Sequence, residues 1–386
     1  MNGSSKKIRV AVLYRVIQDW RLPVFERISS NGRYDLKVFC GCDFKRSKVI
    51  SSSQKHRVNA KQMWSIPLKI RTRNGMAFMP FSPFLFFELI RYSPDVILCE
   101  GASNLFNNMF AYFYAFLFKR KTIQWGLGQI KGRNKSTIRK ILDPIIEFLE
   151  RTSNACLAYS SIGKLYYANI GVTSEKTFVA VNVVDTELRK HEIKRLDRAQ
   201  IYTDSHSTSR FNVLFVGAME KTKRVDILIS AFSRLETKYH SAVSLTLVGD
   251  GVERKNLQTL SEKLGVKNVR FVGKTMEGVN KYFLGADVFV LPGLGGLAVS
   301  DAMVHGLPVI ASIGDGCEKD LLSCGAGIID EGLDEQSLFE HLDRIYQNPA
   351  ELSKMRRDAI KTIDSKYNIE NYIANIERCI DYAYTH

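Results

Sequence analysis

Residues 289–311 read FVLPGLGGLAVSDAMVHGLPVIA, and this stretch decides the fold. An apolar run ends at Leu291. A glycine-rich turn follows, then a segment long enough for about two helical turns, and a second apolar run begins after Pro308. The order strand, tight turn, short helix and strand is the unit of a parallel α/β sheet. The turn also leaves backbone N–H groups free at a helix start, where the helix dipole favours a phosphate or diphosphate. The alternative is that the glycines only make the turn tight.

Similar blocks precede this stretch, each an apolar strand that ends in glycine and leads into a helix; they begin at residues 212, 244 and 268. In this order and spacing the blocks closely resemble the C-terminal donor domain of glycosyltransferase family 4, whose members use nucleotide sugars. Weaker blocks related to the same family fall at residues 20–25, 125–128, 158–160 and 183–185. The resemblance therefore covers nearly the whole chain.

The resemblance implies an α/β fold of two doubly wound Rossmann-like domains that face a cleft, the GT-B architecture. The sequence pattern agrees, because apolar strands alternate with helical stretches in the first half as in a doubly wound parallel sheet. We predict an N-terminal acceptor-side domain over residues 1–190 and a polar connection over 191–210. A nucleotide-sugar donor domain is expected over 211–365, and a C-terminal helix over 366–386 that crosses back to the first domain.

The resemblance also assigns site residues. Lys223 takes the position of the phosphate-binding lysine and would be the catalytic cation, since breaking a sugar–diphosphate bond depends mainly on stabilising the leaving group; the alternative is a solvated surface lysine. Asp301 takes the position of an acid that binds the ribose hydroxyls. The other donor-binding positions are Gly217, Arg224, Gly273, Lys274, Thr275, Gly295, Gly296 and Leu297. On the acceptor side the resemblance points to Arg21, Trp125 and Gly126.

The chain departs from the family pattern at three positions. Gly293 stands where the first acid of a pair is expected, Ala218 where an arginine is expected, and Leu127 where a histidine is frequent. Lys221 or Arg224 is a candidate replacement for the arginine, because both flank the catalytic lysine.

Two functions follow from this pattern. The first is a retaining glycosyltransferase that moves a sugar from a nucleotide-diphosphate sugar to a glycan acceptor, expected to be linked to polyprenyl diphosphate, in the synthesis of lipopolysaccharide, capsule or exopolysaccharide. The second is a non-catalytic scaffold or partner subunit that has lost the paired acid and the arginine. Nucleotide-sugar epimerisation is disfavoured, because His56 is the only histidine among residues 1–190.

The charge of the chain is uneven. Residues 1–190 carry 31 Lys and Arg against 13 Asp and Glu, whereas the remainder carries 24 against 27. The basic residues cluster at 45–48, 69–73, 119–121 and 131–140. A basic face of this kind suits an anionic membrane surface, and without a zinc-finger, RNP or helix-turn-helix pattern we expect no nucleic-acid partner.

Aromatic runs at 78–87 and 110–118 lie between the basic clusters. The second is well short of the ~20 apolar residues of a spanning helix. It is therefore either a buried helix of the first domain or an amphipathic helix in the membrane interface. We expect a cytoplasmic protein that is peripheral on the inner face of the cell membrane.

The seven cysteines are scattered and contain no CxxC pair. This arrangement favours a reducing compartment over a disulfide framework or a zinc site. Residues 1–7 are polar and the strand after them is short, so no N-terminal signal is expected. We also expect no cofactor and no metal, with the nucleotide sugar as a substrate.

Overall fold

The computed structural model describes residues 6–44, 51–72, 75–128, 137–205, 209–275 and 278–386. Two compact units make up the chain. Unit 1 is Met1–Ala180 with Glu370–His386, and unit 2 is Val181–Ile369. The basic clusters at 45–48 and 131–135, together with Arg73, lie outside the described residues.

Unit 1 is built on a parallel sheet. The strands of the unit are β1 (Ile8–Tyr14), β2 (Tyr34–Cys40), β3 (Ala60–Gln62), β4 (Ile66–Thr72), β5 (Gly75–Phe81), β6 (Val96–Glu100), β7 (Lys121–Gly126), β8 (Ala155–Ala158) and β9 (Thr177–Val179). Seven of them form the sheet in the order β3-β2-β1-β6-β7-β8-β9, and β4 and β5 form a separate antiparallel pair. Its helices are α1 (Leu22–Ser30), α2 (Leu85–Tyr92), α3 (Leu105–Phe118), α4 (Thr137–Thr152) and α5 (Ser161–Asn169).

Unit 2 has the same plan. Its strands are β10 (Phe211–Val216), β11 (Val243–Val248), β12 (Val269–Gly273), β13 (Val288–Leu291), β14 (Val309–Ala311) and β15 (Gly327–Ile329), in the order β12-β11-β10-β13-β14-β15. Its helices are α6 (Thr186–Lys194), α7 (Arg198–Ser205), α8 (Val225–Tyr239), α9 (Arg254–Lys263), α10 (Asn280–Leu284), α11 (Ala298–Val304), α12 (Cys317–Leu322), α13 (Glu335–Gln347) and α14 (Pro349–Ser365). A last helix, α15 (Ile369–Thr385), lies almost entirely in unit 1.

All strand pairs of the two larger sheets are parallel among the described residues. The central strands are buried along nearly their whole length, as expected for sheets covered on both faces by helices. The prediction of two doubly wound Rossmann-like sheets is therefore confirmed.

The order of the second sheet creates a switch point between β10 and β13. The chain builds β10, β11 and β12 toward one edge and then returns to place β13 on the other side of β10. The loops after these two strands leave the sheet in opposite directions, and ligands of open α/β sheets bind in the crevice between such loops. Gly217 directly follows β10, and Pro292 directly follows β13.

Residues 181–190, predicted as part of the first domain, and the predicted connection over 191–210 both belong to unit 2. The predicted connection contains the end of α6 and all of α7. Helix α6 begins with the Asp185 side chain accepting a hydrogen bond from Leu188 N at 3.1 Å. Ion pairs between residues three apart, such as Lys190 with Glu187 at 3.0 Å, stabilise its exposed side. Polar composition here marks a solvated helix rather than a loop.

Helix α3 has one buried side and one exposed apolar side, so it combines features of the buried helix and of the amphipathic helix that the sequence left as alternatives. Leu105, Ala111, Tyr114 and Ala115 are buried in unit 1, whereas Phe113, Phe116 and Leu117 are exposed. None of the helices within the described ranges is long and apolar enough to span a bilayer.

Candidate functional site

The candidate site lies at the carboxyl ends of β10 and β13. A short 3-10 turn, Lys221–Lys223, precedes α8 and brings Lys223 to the glycine-rich turn after β13. The Nζ atom of Lys223 donates hydrogen bonds to the carbonyl oxygens of Leu294 at 2.5 Å and Gly295 at 2.7 Å. Arg224 ends the 3-10 turn in the left-handed conformation, with φ of 51°. The lysine and the glycine-rich turn, which are far apart in the sequence, thus form one site.

The glycine-rich turn is packed tightly against the lysine loop. A Cβ atom on Gly293 would lie 2.3 Å from the carbonyl oxygen of Thr222, and Leu294 N donates to that same oxygen at 2.9 Å. A side chain at position 293 would therefore displace the loop that carries Lys223. This contact explains in physical terms why glycine stands where the family pattern has an acid.

The N–H groups of Gly295 and Gly296 donate no hydrogen bond to another described residue. Gly296 has φ of 154°, and α11 begins two residues later at Ala298. Free N–H groups beside a lysine ammonium form a concave donor set that suits the oxygens of an anion. Burial lowers the pKa of Lys223, and the nearby Asp315, Glu318 and Glu220 carboxylates partly offset this effect.

Gly217 and Gly273 lie on neighbouring loops of the same sheet edge. Gly217 N donates to Val248 O at 3.0 Å, and Gly249 N donates to Gly273 O at 2.9 Å, so the loops after β10, β11 and β12 are in contact. Gly273 has φ of 87°, a conformation that favours glycine. Lys274, which follows it, is exposed, and Thr275 is half-buried.

The carboxylate of Asp301 is engaged by a residue that the sequence reasoning did not identify. Arg189 of α6 donates from Nη2 to Asp301 Oδ2 at 3.1 Å, and its Nε lies 3.0 Å from Oδ1 without an aligned hydrogen bond. His305 Nδ1 lies 2.7 Å from the Asp301 carbonyl oxygen. Asp301 is only 8 % exposed, so a ribose would have to share this carboxylate with Arg189.

Arg224 points away from the glycine-rich turn. Its Nη1 donates to the carbonyl oxygen of Leu333 at 2.9 Å, beyond β15. Lys221 and Ala218 are exposed on the same loop. Lys221 and Arg224 are the two candidates to replace the missing arginine. Within the described residues, the side chain of Lys221 makes no contact that would compete with binding a diphosphate.

Glu318 is a second residue of the site that the sequence reasoning missed. It lies in the first turn of α12, and its Oε1 lies 1.5 Å from the position that a Cβ on Gly295 would occupy. Burial raises the pKa of Glu318 to about 7, Asp315 adds to this effect, and nearby backbone amides partly offset it. No sequence pattern marks Glu318, because it reaches the site through tertiary contact alone.

Comparison with known proteins agrees with this geometry. Residues 203–363 match the family described as glycosyl transferases group 1. All of the matched residues lie in unit 2. Among curated relatives, the lipopolysaccharide core biosynthesis glycosyltransferase LpsE of Rhizobium meliloti is 23% identical over 194 residues, which cover 49% of this chain and 54% of LpsE. The chain spans about half the length of most curated relatives that it matches.

Solved structures of the GT-B fold match along nearly the whole chain. Anabaena HepE in complex with UDP has a TM-score of 0.73 at 15% identity and covers 97% of this chain and 100% of its own. WaaG, a glycosyltransferase involved in lipopolysaccharide biosynthesis, has a TM-score of 0.68 at 16% identity and covers 97% and 99%. These similarities establish the GT-B fold for the chain.

Unit 1 of this GT-B protein places Arg21, Trp125 and Gly126 together in its interior. The guanidinium carbon of Arg21 lies 4.2 Å from the centroid of the Trp20 ring and 4.5 Å from that of Trp125. Arg21 also donates to the hydroxyl groups of three tyrosines, Tyr14, Tyr159 and Tyr372. Because the side chains of Arg21 and Trp125 do not face solvent, any part they take in acceptor binding is indirect.

The electrostatics of this cluster keep Arg21 charged. Burial alone would lower the pKa of the guanidinium, but the hydroxyl groups of Tyr14, Tyr372 and Tyr159 raise it above its ordinary value. The aromatic faces around the guanidinium add cation–π attraction. Arg21 is therefore a buried cation stabilised by aromatic residues.

Unit 1 of the GT-B protein also exposes a large apolar surface, which we call the aromatic surface. Its members are exposed side chains of α2, α3 and the segments before β4 and α2: Trp64, Phe84, Phe87, Met109, Phe113, Phe116, Leu117 and Phe118. Phe116 is 82 % exposed. Phe86 connects the two helices, with its ring centroid 6.3 Å from Phe87 and 5.8 Å from Phe113. Contiguous exposed apolar area of this kind marks an interaction surface.

Proposed function

We propose that this protein is a retaining glycosyltransferase of family 4 that moves a sugar from a nucleotide-diphosphate sugar to a glycan acceptor. The observation that carries the proposal is the contact of the Lys223 ammonium with the glycine-rich turn in the group 1 domain. One cation and the N–H groups of Gly295 and Gly296 converge at a switch point of a parallel sheet, the position where such folds bind nucleotides.

The chemistry that these residues supply is charge stabilisation of the leaving group. As the bond from the sugar to the diphosphate breaks, negative charge develops on the diphosphate oxygens. Lys223 exchanges its carbonyl partners for these oxygens, and the N–H groups of the turn donate to them. Because this donor set supplies the positive charge, the proposal includes no metal and no further cofactor. Asp301 holds the ribose hydroxyls while it remains paired with Arg189.

The acceptor is proposed to be a glycan linked to polyprenyl diphosphate, in the synthesis of a surface polysaccharide such as lipopolysaccharide, capsule or exopolysaccharide. Support comes from the LpsE and WaaG similarities, since both proteins are described as acting in lipopolysaccharide biosynthesis. A lipid-linked acceptor requires access to a bilayer. The aromatic surface and the excess of basic residues in 1–190 favour a peripheral position on the inner, cytoplasmic face of the cell membrane.

The experiment that tests this function is nucleotide release by the purified protein from a panel of UDP-, GDP- and ADP-sugars, with and without lipid-linked glycans. Release that depends on one donor and increases with an acceptor is expected, and retention at the anomeric carbon is read by NMR of the product. Absence of release with every donor, from a protein that binds nucleotide, contradicts the transferase.

A second candidate function is a non-catalytic scaffold or partner subunit. It is favoured by Gly293 and Ala218 in place of an acid and an arginine, and by the ion pair that occupies Asp301. Nucleotide binding without turnover, combined with stimulation of a partner transferase, would be the result that selects this function.

A further inference from the structure

An acid from another loop lies beside the glycine-rich turn. Residues 292–297 carry no charged side chain. The carboxylate of Glu318 nevertheless reaches this turn, because its Oε1 lies in the volume that a side chain on Gly295 would fill. A Cβ on Gly314 would also lie 2.8 Å from this oxygen. The glycines at 295 and 314 thus leave a space in which one carboxylate is held.

One oxygen of the Glu318 carboxylate accepts no hydrogen bond from the described residues. Glu318 is 1 % exposed, and its Oε2 accepts a hydrogen bond from Gly316 N at 3.0 Å. Oε1 is buried without a hydrogen-bond partner among the described residues. A buried carboxylate oxygen without a donor is costly when it is charged, and a proton removes that cost.

The charged groups that face Glu318 come from two loops. Asp315 lies on the same loop, and its Oδ1 is 3.5 Å from the same position beside Gly295. Lys223 lies on the other side, with Nζ 2.7 Å from the Gly295 carbonyl oxygen and with Glu220 near it. Cys317 is buried next to both acids and its pKa is well above its ordinary value, mainly because of burial. Near Gly295, the positive charge of Lys223 therefore lies close to the carboxylates of Glu318, Asp315 and Glu220.

A diphosphate at the glycine-rich turn would change the balance of charge around Glu318. It brings additional negative charge, and it pairs with the Lys223 ammonium. Both changes favour the neutral form of the nearest buried acid. Protonation of Oε1 removes the negative charge from the buried carboxylate, and the proton comes from the solvent.

We propose that Glu318 is a positioning residue of the glycine-rich turn and that its carboxylate becomes protonated when a nucleoside diphosphate binds beside Lys223. Glu318 is buried, so it acts on the ligand only through its neighbours Gly295 and Lys223. This inference rests on the proposed function, because it requires a diphosphate at the turn.

The test is calorimetric titration of the full-length protein with UDP, GDP and ADP at pH 7 in two buffers of different ionisation enthalpy, PIPES and imidazole. The dependence of the heat on the buffer gives the number of protons taken up. A measurable uptake of up to one proton per nucleotide is expected, because carboxyl groups already protonated in the free protein take up none. Glu318→Gln should still bind the nucleotide and lose this uptake, whereas Asp320→Asn, in the same helix, should keep it.

The comparison of the variants removes the contribution of the nucleotide's own phosphate, which is the same in all of them. Nucleotide binding with equal proton numbers in the parent and in Glu318→Gln overturns this inference and leaves the proposed function standing. Failure of all three nucleotides to bind the parent overturns both. If Glu318→Gln does not fold, the parent is titrated between about pH 7.5 and pH 9, where the nucleotide phosphate is already ionised, and nucleotide affinity that does not change over this range overturns the inference.

Discussion

Arg21 donates a hydrogen bond to the hydroxyl of Tyr372, a residue 351 positions later in the chain. The contact fixes the C-terminal helix α15 to the start of α1, in the middle of unit 1. Both partners are buried, and the guanidinium is surrounded by aromatic rings rather than by a carboxylate. This pair is one of the contacts that hold the end of the chain in unit 1, together with the hydrogen bond from Tyr34 to Asp381 at 2.9 Å.

We expect Tyr372→Phe to destabilise unit 1. Loss of an acceptor for a buried charged donor is worth about 1.5–3 kcal/mol. All three tryptophans, Trp20, Trp64 and Trp125, lie in unit 1, so tryptophan fluorescence during urea unfolding reports on this unit.

Arg27→Ala is the matched control for Tyr372→Phe. Its ion pair with Glu370 at 3.0 Å also connects α1 to α15 but is largely exposed, so about 0–1 kcal/mol is expected. Equal effects of the two variants would contradict the role given to the buried pair.

Lys223→Ala should lower turnover by roughly 10²-fold or more, the scale of one lost charge partner in the transition state. The steady-state rate with the preferred donor measures this effect. Lys255→Ala, which removes an exposed lysine from α9 of the same unit, controls for net charge and should stay within twofold. The parallel variants Lys221→Ala and Arg224→Ala show which residue replaces the absent arginine, and the contacts of Arg224 with Leu333 favour Lys221. Turnover of Lys223→Ala close to that of the parent would refute the assignment.

Asp301→Asn should weaken the binding of a nucleoside diphosphate and of the sugar nucleotide alike. Loss of a charged acceptor for hydroxyl groups corresponds to about 1.5–3 kcal/mol, measured by calorimetry. Arg189→Met removes the ion pair but keeps the carboxylate, so it separates the two roles of Asp301. If both variants lower the stability of unit 2 and neither changes nucleotide affinity, Asp301 is structural.

Stability should depend on pH through Glu318. Because the pKa of Glu318 is raised from 4.5 to about 7 in the folded state, the folded protein binds the proton more tightly than the unfolded chain. The contribution of Glu318 to the free energy of unfolding should therefore be largest below about pH 4.5 and be lost as pH rises through about 7, a decrease on the order of 3 kcal/mol. Circular dichroism of urea unfolding measures this change. In Glu318→Gln this decrease should be absent, and an unchanged pH profile would show that another group titrates.

Binding to vesicles should require both charge and the aromatic surface. Each basic residue near an anionic bilayer adds about 1 kcal/mol, and salt screens this attraction. Co-sedimentation should be strong on anionic vesicles at low salt, weaken as salt rises and be nearly absent on neutral vesicles. Changing Lys131, Arg133 and Lys135 together to serine should weaken binding without affecting nucleotide affinity.

Phe116→Ser tests the aromatic surface directly. Loss of one inserted ring costs about 1.5–3 kcal/mol, roughly tenfold or more in partitioning, and this loss should persist at high salt. Val252→Ser, an exposed apolar residue of unit 2, should leave partitioning unchanged. Equal binding of parent and variants to neutral and anionic vesicles would reassign the basic residues to an anionic acceptor.

The sequence was sufficient for the features that are encoded locally. Strands such as β10 and β13 are continuous apolar runs that end at glycine or proline, and the helices of unit 2 follow them at the expected spacing. The antiparallel pair of β4 and β5 was missed, because the aromatic run at 78–87 is divided between a strand and helix α2. Helix α6 was missed because a solvated helix and a loop have similar compositions.

The sequence predicted only those site residues that belong to a recognisable motif. Lys223 and Gly295 occur in recognisable blocks, and the structure brings them within hydrogen-bonding distance. Arg189 and Glu318 belong to no block. Their contacts arise from tertiary packing, for example across the 112 residues between Arg189 and Asp301. A burial pattern read from sequence also cannot show that Arg21 is enclosed by rings from several separate segments.

The central claim is that Lys223 and the glycine-rich turn bind the diphosphate of the donor. A crystal structure of the protein with whichever of UDP, GDP or ADP binds most tightly tests it most directly. We expect diphosphate oxygens at a hydrogen-bond distance of about 3 Å from Lys223 Nζ and from the N–H of Gly296. A nucleotide bound elsewhere, with Lys223 still donating to the carbonyl oxygens of Leu294 and Gly295, would contradict it.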